Sequence, residues 1–232
     1  MTPPLSQFFI GGWGSTDAVW RGTLTHASLA EPHFLGWLNC VQDWLGVLTA
    51  LSAEPGRCLL VGWSLGSVLA LRAALDLPEK VAAMVLVSGT PCMCAGKDHG
   101  GIDPRTLAAM RVRMARNPGQ VLDGFAQQCA MPDGDEETRA CYLQQAKQFS
   151  PAELAAGLEC LATLDVRERL GEIQAPCRVL HGACDQIVPV RSAQFLAEQM
   201  PLAELEVMEG RGHALPFTAP AEIARCIRSV IS

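Results

Sequence analysis

Three residues have the types and surroundings that nucleophilic catalysis requires: Ser64, Asp185 and His213. Ser64 lies at the centre of the segment Gly-Trp-Ser-Leu-Gly, residues 62–66. A serine hydroxyl is a weak nucleophile near neutral pH, and it becomes effective when a histidine that is oriented by a carboxylate takes its proton. The three residues therefore predict a catalytic triad, in which Ser64 attacks a carbonyl carbon and forms an acyl-enzyme.

The local pattern around Ser64 predicts a sharp turn between a strand and a helix. Residues 57–61 form an apolar run typical of a buried strand, and residues 67–77 carry apolar side chains at helical spacing. Gly62 and Gly66 let two backbones approach closely at such a turn, and the free N–H groups of a helix start favour negative charge there. The alternative is a serine that only caps the helix, with glycines that serve the turn.

Asp185 and His213 each follow a predicted strand, at residues 178–181 and 204–208. The carboxyl ends of parallel strands meet at one edge of a sheet, so both side chains are expected near Ser64. The chain order Ser, Asp, His is also the order found with this kind of strand-turn-helix motif. The other four histidines lie before the turn, in a helical stretch or inside a strand: His26, His33, His99 and His181.

Two backbone N–H groups are predicted to stabilise the oxyanion that forms when Ser64 attacks. One belongs to Leu65, and the other to Trp13 in the glycine-rich loop at residues 11–14. The alternative is a glycine turn in which Trp13 only packs. The sequence has neither a phosphate-binding lysine motif nor a dinucleotide fingerprint, and its cysteines lack zinc-ligand spacing. We therefore expect neither a metal nor a cofactor.

The hydrophobic pattern predicts an α/β fold with one mostly parallel sheet of about six strands and helices on both faces. Between residues 92 and 170 only helical patterns occur, which predicts a helical cap inserted into a core formed by residues 1–91 and 171–232. Ordinary crossover helices are the alternative, although one connection rarely needs so many residues. The predicted strands are residues 6–10, 33–35, 57–61, 81–87, 178–181 and 204–208.

Composition excludes several classes of protein. The 232 residues suit one domain, 49% of them are apolar, and the net charge of −6 argues against nucleic-acid binding. No run of eighteen apolar residues and no leader pattern at the N-terminus occur, so we expect a cytoplasmic protein without a membrane span. Ten scattered cysteines, mostly within apolar stretches, are typical of reduced core thiols rather than disulfides.

Five segments of the sequence carry a family resemblance: residues 12–14, 62–66, 88–92, 157–167 and 210–217. They resemble segments of the pimeloyl-ACP methyl ester carboxylesterases, which belong to the α/β-hydrolase superfamily. The resemblance implies an α/β-hydrolase fold with a four-helix cap, and cleavage of the methyl ester that masks pimeloyl-ACP in biotin synthesis. It implies Ser64, Asp185 and His213 as the triad, with Trp13 and Leu65 at the substrate.

The same resemblance suggests roles for the predicted cap. Phe125, within residues 125–129, is expected to line the acyl channel, the alternative being an aromatic of the cap core. The family holds acidic acyl carrier protein through arginines of the cap, and its members suggest a monomer. The candidate cations here are Arg111, Arg113, Arg116, Arg139 and Lys147.

The sequence also departs from the family pattern. Gly11 stands where the family usually has a histidine, and residues 21–43 lack the Asp-x-Pro-Gly-x-Gly loop. The chain begins almost at the first core strand, so the two leading antiparallel strands are expected to be missing. Two other functions stay open: a general short-chain esterase, thioesterase or lactonase with the same triad, and a non-catalytic ligand-binding protein of this fold.

Overall fold

The computed structural model describes residues 5–27, 32–94 and 100–231, and a sheet of parallel strands forms its centre. Each predicted strand is present, and the third extends two residues further than expected. His99, one of the other histidines, lies outside the described residues. The strands are β1 (Ser6–Ile10), β2 (His33–Leu35), β3 (Cys58–Trp63), β4 (Val81–Val87), β5 (Cys177–Gly182) and β6 (Ala203–Met208).

The six strands lie in the order β2-β1-β3-β4-β5-β6, and every pair is parallel. All residues of β3 and all but one of β4 are buried, because helices cover both faces of the sheet. Parallel pairing brings the carboxyl ends of β3, β5 and β6 to one edge. The prediction of a mostly parallel six-stranded α/β fold is confirmed.

Eleven α-helices accompany the sheet in the described residues. Helix α4 packs on β3 and β4, and α9 packs on β5 and β6. Helix α11 packs on β4 and β5, and α1 packs against α11. The helices are α1 (Arg21–Ala27), α2 (Trp37–Gln42), α3 (Trp44–Ala53), α4 (Leu65–Asp76), α5 (Pro104–Arg116), α6 (Pro118–Ala130), α7 (Glu136–Ala146), α8 (Pro151–Thr163), α9 (Val190–Gln199), α10 (Leu215–Thr218) and α11 (Pro220–Ile231).

Helices α5 to α8, which we call the four-helix segment, occupy the chain between β4 and β5. Their starts carry strong local signals: Asp103 and Asp135 accept backbone N–H groups, and Ser150 with Glu153 forms a capping box. The hydrophobic core continues from the sheet into this segment through residues such as Leu158. In the described ranges, every helix falls short of the length and hydrophobicity that a membrane span requires.

Candidate active site

Ser64 occupies the turn between β3 and α4, as the sequence predicts. Its backbone has φ 55° and ψ −117°, in a region that residues with a side chain rarely adopt. Its N–H donates to the carbonyl of Val87, 2.9 Å away, which ties the turn to the neighbouring strand. This strained conformation lifts the side chain clear of the sheet at the start of α4.

The glycines on either side of Ser64 are required by close backbone contacts. A Cβ atom on Gly62 would overlap the carbonyl oxygen of Gly66, and a Cβ atom on Gly66 would overlap that of Ile10. Backbone atoms cannot move aside as the end of a side chain can. The sharpness of the turn therefore depends on both glycines.

Replacing Gly66 with alanine is expected to destabilise the protein by about 3 kcal/mol, because the added methyl group forces β1 and α4 apart. The matched control is Gly124→Ala, in the exposed part of α6, where an added Cβ meets nothing within 4 Å. The control should change the free energy of unfolding by at most about 1 kcal/mol, and favourably. Urea unfolding of both variants measures the difference, and equal stabilities would contradict the packing argument.

The structure brings the three predicted triad residues into one row of hydrogen bonds. The Nδ1 atom of His213 lies 2.7 Å from Oδ2 of Asp185, and its Nε2 atom lies 3.0 Å from Oγ of Ser64. The network assigns the proton to Nδ1, which donates to the carboxylate and leaves Nε2 to accept from the serine hydroxyl. Ser64 is 7% exposed, and His213 and the Asp185 side chain are fully buried.

Asp185 is held in its ionised form by groups around it. Its Oδ1 atom accepts the N–H groups of Ile187 and Val188, both at 2.8 Å. Burial on its own raises the pKa of this carboxyl, but His213, His181 and the backbone donors together hold that pKa below its usual value. A buried carboxylate with these partners is suited to orient a histidine and to stabilise its charged form.

His181 is a second buried histidine beside Asp185, and it lies inside β5, as expected, with a hydrogen bond to the backbone. Its Nε2 atom lies 2.8 Å from the carbonyl of Val188 and 3.4 Å from the Asp185 carboxylate. Burial lowers the pKa of His181, and the Asp185 carboxylate opposes that effect. The folded protein therefore keeps His181 neutral at a pH where the unfolded chain is already protonated.

Replacing His181 with glutamine should flatten the acid side of the stability curve. In the unfolded chain, His181 takes up a proton as the pH falls through about 6.5. In the folded protein the pKa of His181 is lower, so wild-type stability declines as the pH falls from the unfolded pKa toward the folded one. One such proton contributes at most about 1.4 kcal/mol per pH unit. Urea unfolding at pH 7, 6 and 5 should show a shallower decline in the variant, and an unchanged slope would contradict the assignment.

The two predicted oxyanion donors lie beside Ser64. A Cβ atom on Gly12, next to Trp13, would approach the Cβ atom of Ser64 to 3.2 Å, so the loop after β1 borders the serine. Within the described part of the chain, the N–H groups of Trp13 and Leu65 donate to no protein acceptor. Both are therefore available to a negatively charged oxygen.

Two hydrogen bonds from the four-helix segment hold Trp13 in place, and neither could be predicted from the sequence. Its indole N–H donates to the carbonyl of Leu154 at 2.8 Å, and its own carbonyl accepts the hydroxyl of Tyr142 at 2.8 Å. Tyr142 is the only tyrosine of the sequence, and that rarity is the single sequence signal for it. The contacts hold the loop that carries one of the candidate donors.

An apolar cavity of about 170 Å³ lies beside the row of hydrogen bonds and has Trp13 and Phe125 in its lining. The ring of Phe125 meets that of Trp13 edge-on, with centroids 5.0 Å apart, and lies 6.4 Å from the ring of His213. The structure thus brings Phe125 to the site. A larger cavity of about 570 Å³ lies between α6, α7 and α8 and is lined by neither Trp13 nor Phe125.

Sequence and fold comparisons agree on the kind of protein that carries this site. Residues 10–226 match the model of the alpha/beta hydrolase family. The chain belongs to the alpha/beta hydrolase family. This hydrolase is 31% identical to a pimeloyl-[acyl-carrier protein] methyl ester esterase of Nitrosomonas europaea, covering 93% of this chain and 91% of the relative. It is 34% identical to the esterase of that name from Aromatoleum aromaticum, covering 82% and 80%.

Solved structures share the fold of this hydrolase. A bromoperoxidase from Bacillus anthracis superposes with a TM-score of 0.85 at 19% identity, covering 99% of this chain and 92% of the other. An esterase from Exiguobacterium antarcticum superposes with a TM-score of 0.81 at 17% identity, covering 99% and 93%. The fold class is therefore confirmed, and the esterase relatives confirm the predicted enzyme class, a carboxylic ester hydrolase.

Proposed function

We propose that this hydrolase cleaves the methyl ester of a pimeloyl chain carried on acyl carrier protein, a step of biotin synthesis. The observation that carries the proposal is the hydrogen-bonded row of Ser64, His213 and Asp185. Relatives that cover more than nine-tenths of the chain are named for this reaction. The ten free cysteines fit a reducing compartment, and we place the enzyme in the cytoplasm.

Acylation begins when Oγ of Ser64 attacks the ester carbonyl carbon. Nε2 of His213 takes the hydroxyl proton, and Asp185 stabilises the resulting imidazolium. The N–H groups of Trp13 and Leu65 bind the oxyanion, and one such donor is worth about 10²- to 10³-fold in kcat. His213 then gives its proton to the departing methoxide, so methanol leaves and the acyl group stays on Ser64.

Deacylation reverses these proton movements with water as the nucleophile. His213 takes a proton from water as its oxygen adds to the acyl carbon, and the same two N–H groups bind the second oxyanion. When the intermediate collapses, His213 returns the proton to Oγ of Ser64. The free carboxylic acid leaves, and the enzyme regains its starting state.

The shape of the cavities supports a long acyl chain. The cavity beside Trp13 shares Thr106, Met110, Phe125 and Gln128 with an outer cavity of about 360 Å³ between α5 and α6. The two cavities therefore adjoin, with Trp13 lining the inner one and Arg113 the outer one, and we propose that they form one path for the substrate. We assign the acyl chain to this path, with Phe125 as its inner wall and residues 92–170 as the cap that covers it.

Ion pairs within the four-helix segment reduce the number of cations that are candidates for contact with the acidic carrier. Arg111 and Arg139 already form ion pairs with acidic side chains of the segment. Among the described residues, Arg113, Arg116 and Lys147 form no ion pair. Arg113 lines the outer cavity. We propose these three cations, Arg113 first, as the contacts to the carrier.

Hydrolysis of three esters tests the proposal: methyl pimeloyl-ACP, the same acyl chain on free pantetheine, and p-nitrophenyl butyrate. We expect the highest kcat/KM on the carrier-bound ester, and growth rescue of a bacterial strain that lacks its own pimeloyl-ACP methyl ester esterase. Hydrolysis of the butyrate ester without rescue would instead identify a general esterase, thioesterase or lactonase. Binding without any hydrolysis would identify a ligand-binding protein.

A further inference from the structure

The loop that carries His213, residues 209–213, is held by polar groups from outside it. The carbonyl oxygen of His213 accepts the indole N–H of Trp63 at 3.0 Å and the hydroxyl of Ser88 at 3.1 Å. The N–H of Gly212 donates to Oδ1 of Asp133 at 2.7 Å. The peptide that follows the His213 Cα atom and the peptide between Arg211 and Gly212 are therefore both held.

Asp133 reaches this loop from the connection between α6 and α7, within the four-helix segment. Its side chain is only 12% exposed, and its Oδ2 atom lies 3.2 Å from Nη1 of Arg211. The same Nη1 atom also donates to the carbonyl of Thr218 at 3.0 Å. A Cβ atom on Gly212 would overlap the carbonyl oxygen of Met131, so the connection lies directly against the loop.

The loop needs such an anchor because of its composition. Gly210 adopts φ +71°, and Gly212 is the residue directly before the histidine, so two glycines give this backbone wide conformational freedom. A hydrogen bond from an N–H to a carboxylate is stronger than one between neutral groups. Displacement of a catalytic group by about 1 Å costs about 10²-fold in rate.

We propose that Asp133 is a positioning residue for His213, acting through the N–H of Gly212. The inference rests on the proposed role of His213 as the base. Asp133 itself contacts neither Ser64 nor the acyl cavity. Its carboxylate fixes the peptide between Arg211 and Gly212, one peptide before the one that precedes His213, while Trp63 and Ser88 fix the peptide after His213. Nε2 of His213 thereby stays within reach of Oγ of Ser64. The four-helix segment thus supplies part of the base's support as well as the acyl path.

The test compares Asp133→Ala with Asp133→Asn in the full-length enzyme, using p-nitrophenyl butyrate. Alanine removes the acceptor, so kcat should fall about 10- to 100-fold while KM changes less than about twofold. Asparagine keeps an oxygen for the Gly212 N–H, so it should restore kcat to within about threefold of wild type. The downfield proton signal of His213 Nδ1–H should broaden in the alanine variant and return in the asparagine variant.

Asp135→Ala is the matched control, because Asp135 caps α7 only two residues away and its side chain accepts the N–H of Thr138. It should lower the melting temperature as much as Asp133→Ala does but leave kcat unchanged. A wild-type kcat in Asp133→Ala, an equal fall in kcat in Asp135→Ala, or a failure of asparagine to restore kcat would overturn the proposal. An active Ser64→Ala variant would instead overturn the proposed function itself, so the two failures are distinguishable.

Discussion

Replacing Ser64 with alanine is expected to lower kcat for p-nitrophenyl butyrate by up to about 10⁶-fold, the largest effect of any single change at this site. The variant lacks the oxygen that forms the acyl-enzyme, and in the described residues Nε2 of His213 has no other hydroxyl within hydrogen-bonding distance. The substitution removes one atom from a residue that is 7% exposed, and alanine meets the same backbone strain as serine. The fold should therefore persist.

Ser67→Ala is the control for this experiment. Ser67 is another buried serine at the start of α4, and its hydroxyl donates to the carbonyl of Gly62 at 2.8 Å. Its loss should cost about 1 kcal/mol of stability and leave kcat within a few-fold of wild type. Circular dichroism and thermal unfolding establish that both variants are folded. Turnover above about 1% of wild type in Ser64→Ala would refute the triad.

Replacing Asp185 with asparagine is expected to lower kcat by about 10⁴-fold without unfolding the protein. The N–H groups of Ile187 and Val188 both donate to Oδ1, so they hold the amide oxygen of asparagine in that position. The amide NH₂ then faces Nδ1 of His213. Nδ1 must accept instead of donate, the proton moves to Nε2, and the histidine cannot take a proton from Ser64.

Asp165→Asn is the matched control for the second prediction. Asp165 is an exposed acid that follows α8, and it is paired with Arg167 at 2.6 Å and makes no contact with the three site residues. The kcat of the Asp165→Asn variant should equal that of wild type. The comparison is made by steady-state kinetics at pH 8. A loss of less than tenfold in Asp185→Asn, or an equal loss in Asp165→Asn, would contradict the tautomer argument.

The strands and the hydrogen-bonded row of three site residues could be predicted from the sequence because each has a local signal. Buried parallel strands appear as short apolar runs, and Ser64, Asp185 and His213 each follow one. The end of β3 was the least accurate boundary, because residues 62–63 belong both to the strand and to the turn. A residue that belongs to both a strand and a turn carries the sequence signals of both, so its type alone does not mark where the strand ends.

The contacts that support the site could not be predicted in this way. Asp133 is 79 residues from Gly212, and Tyr142 is 129 residues from Trp13. Neither residue stands in a motif, and helical periodicity specifies only which face of a helix is apolar, not which distant polar group it meets. The sequence led to Phe125 only through a family resemblance, and its apolar character alone was equally suited to a helix core.

The position of the four-helix segment between β4 and β5 has a consequence for how the chain folds. These adjacent strands pair only after the chain from Ser88 to Pro176 has been closed into a loop. The entropy lost on closing a loop rises with the logarithm of its length, by about 0.6 kcal/mol per doubling. Extra residues at an exposed turn of the segment therefore cost the sheet little in loop-closure entropy. A change at its contacts with Trp13 or Gly212, by contrast, acts directly on the catalytic geometry.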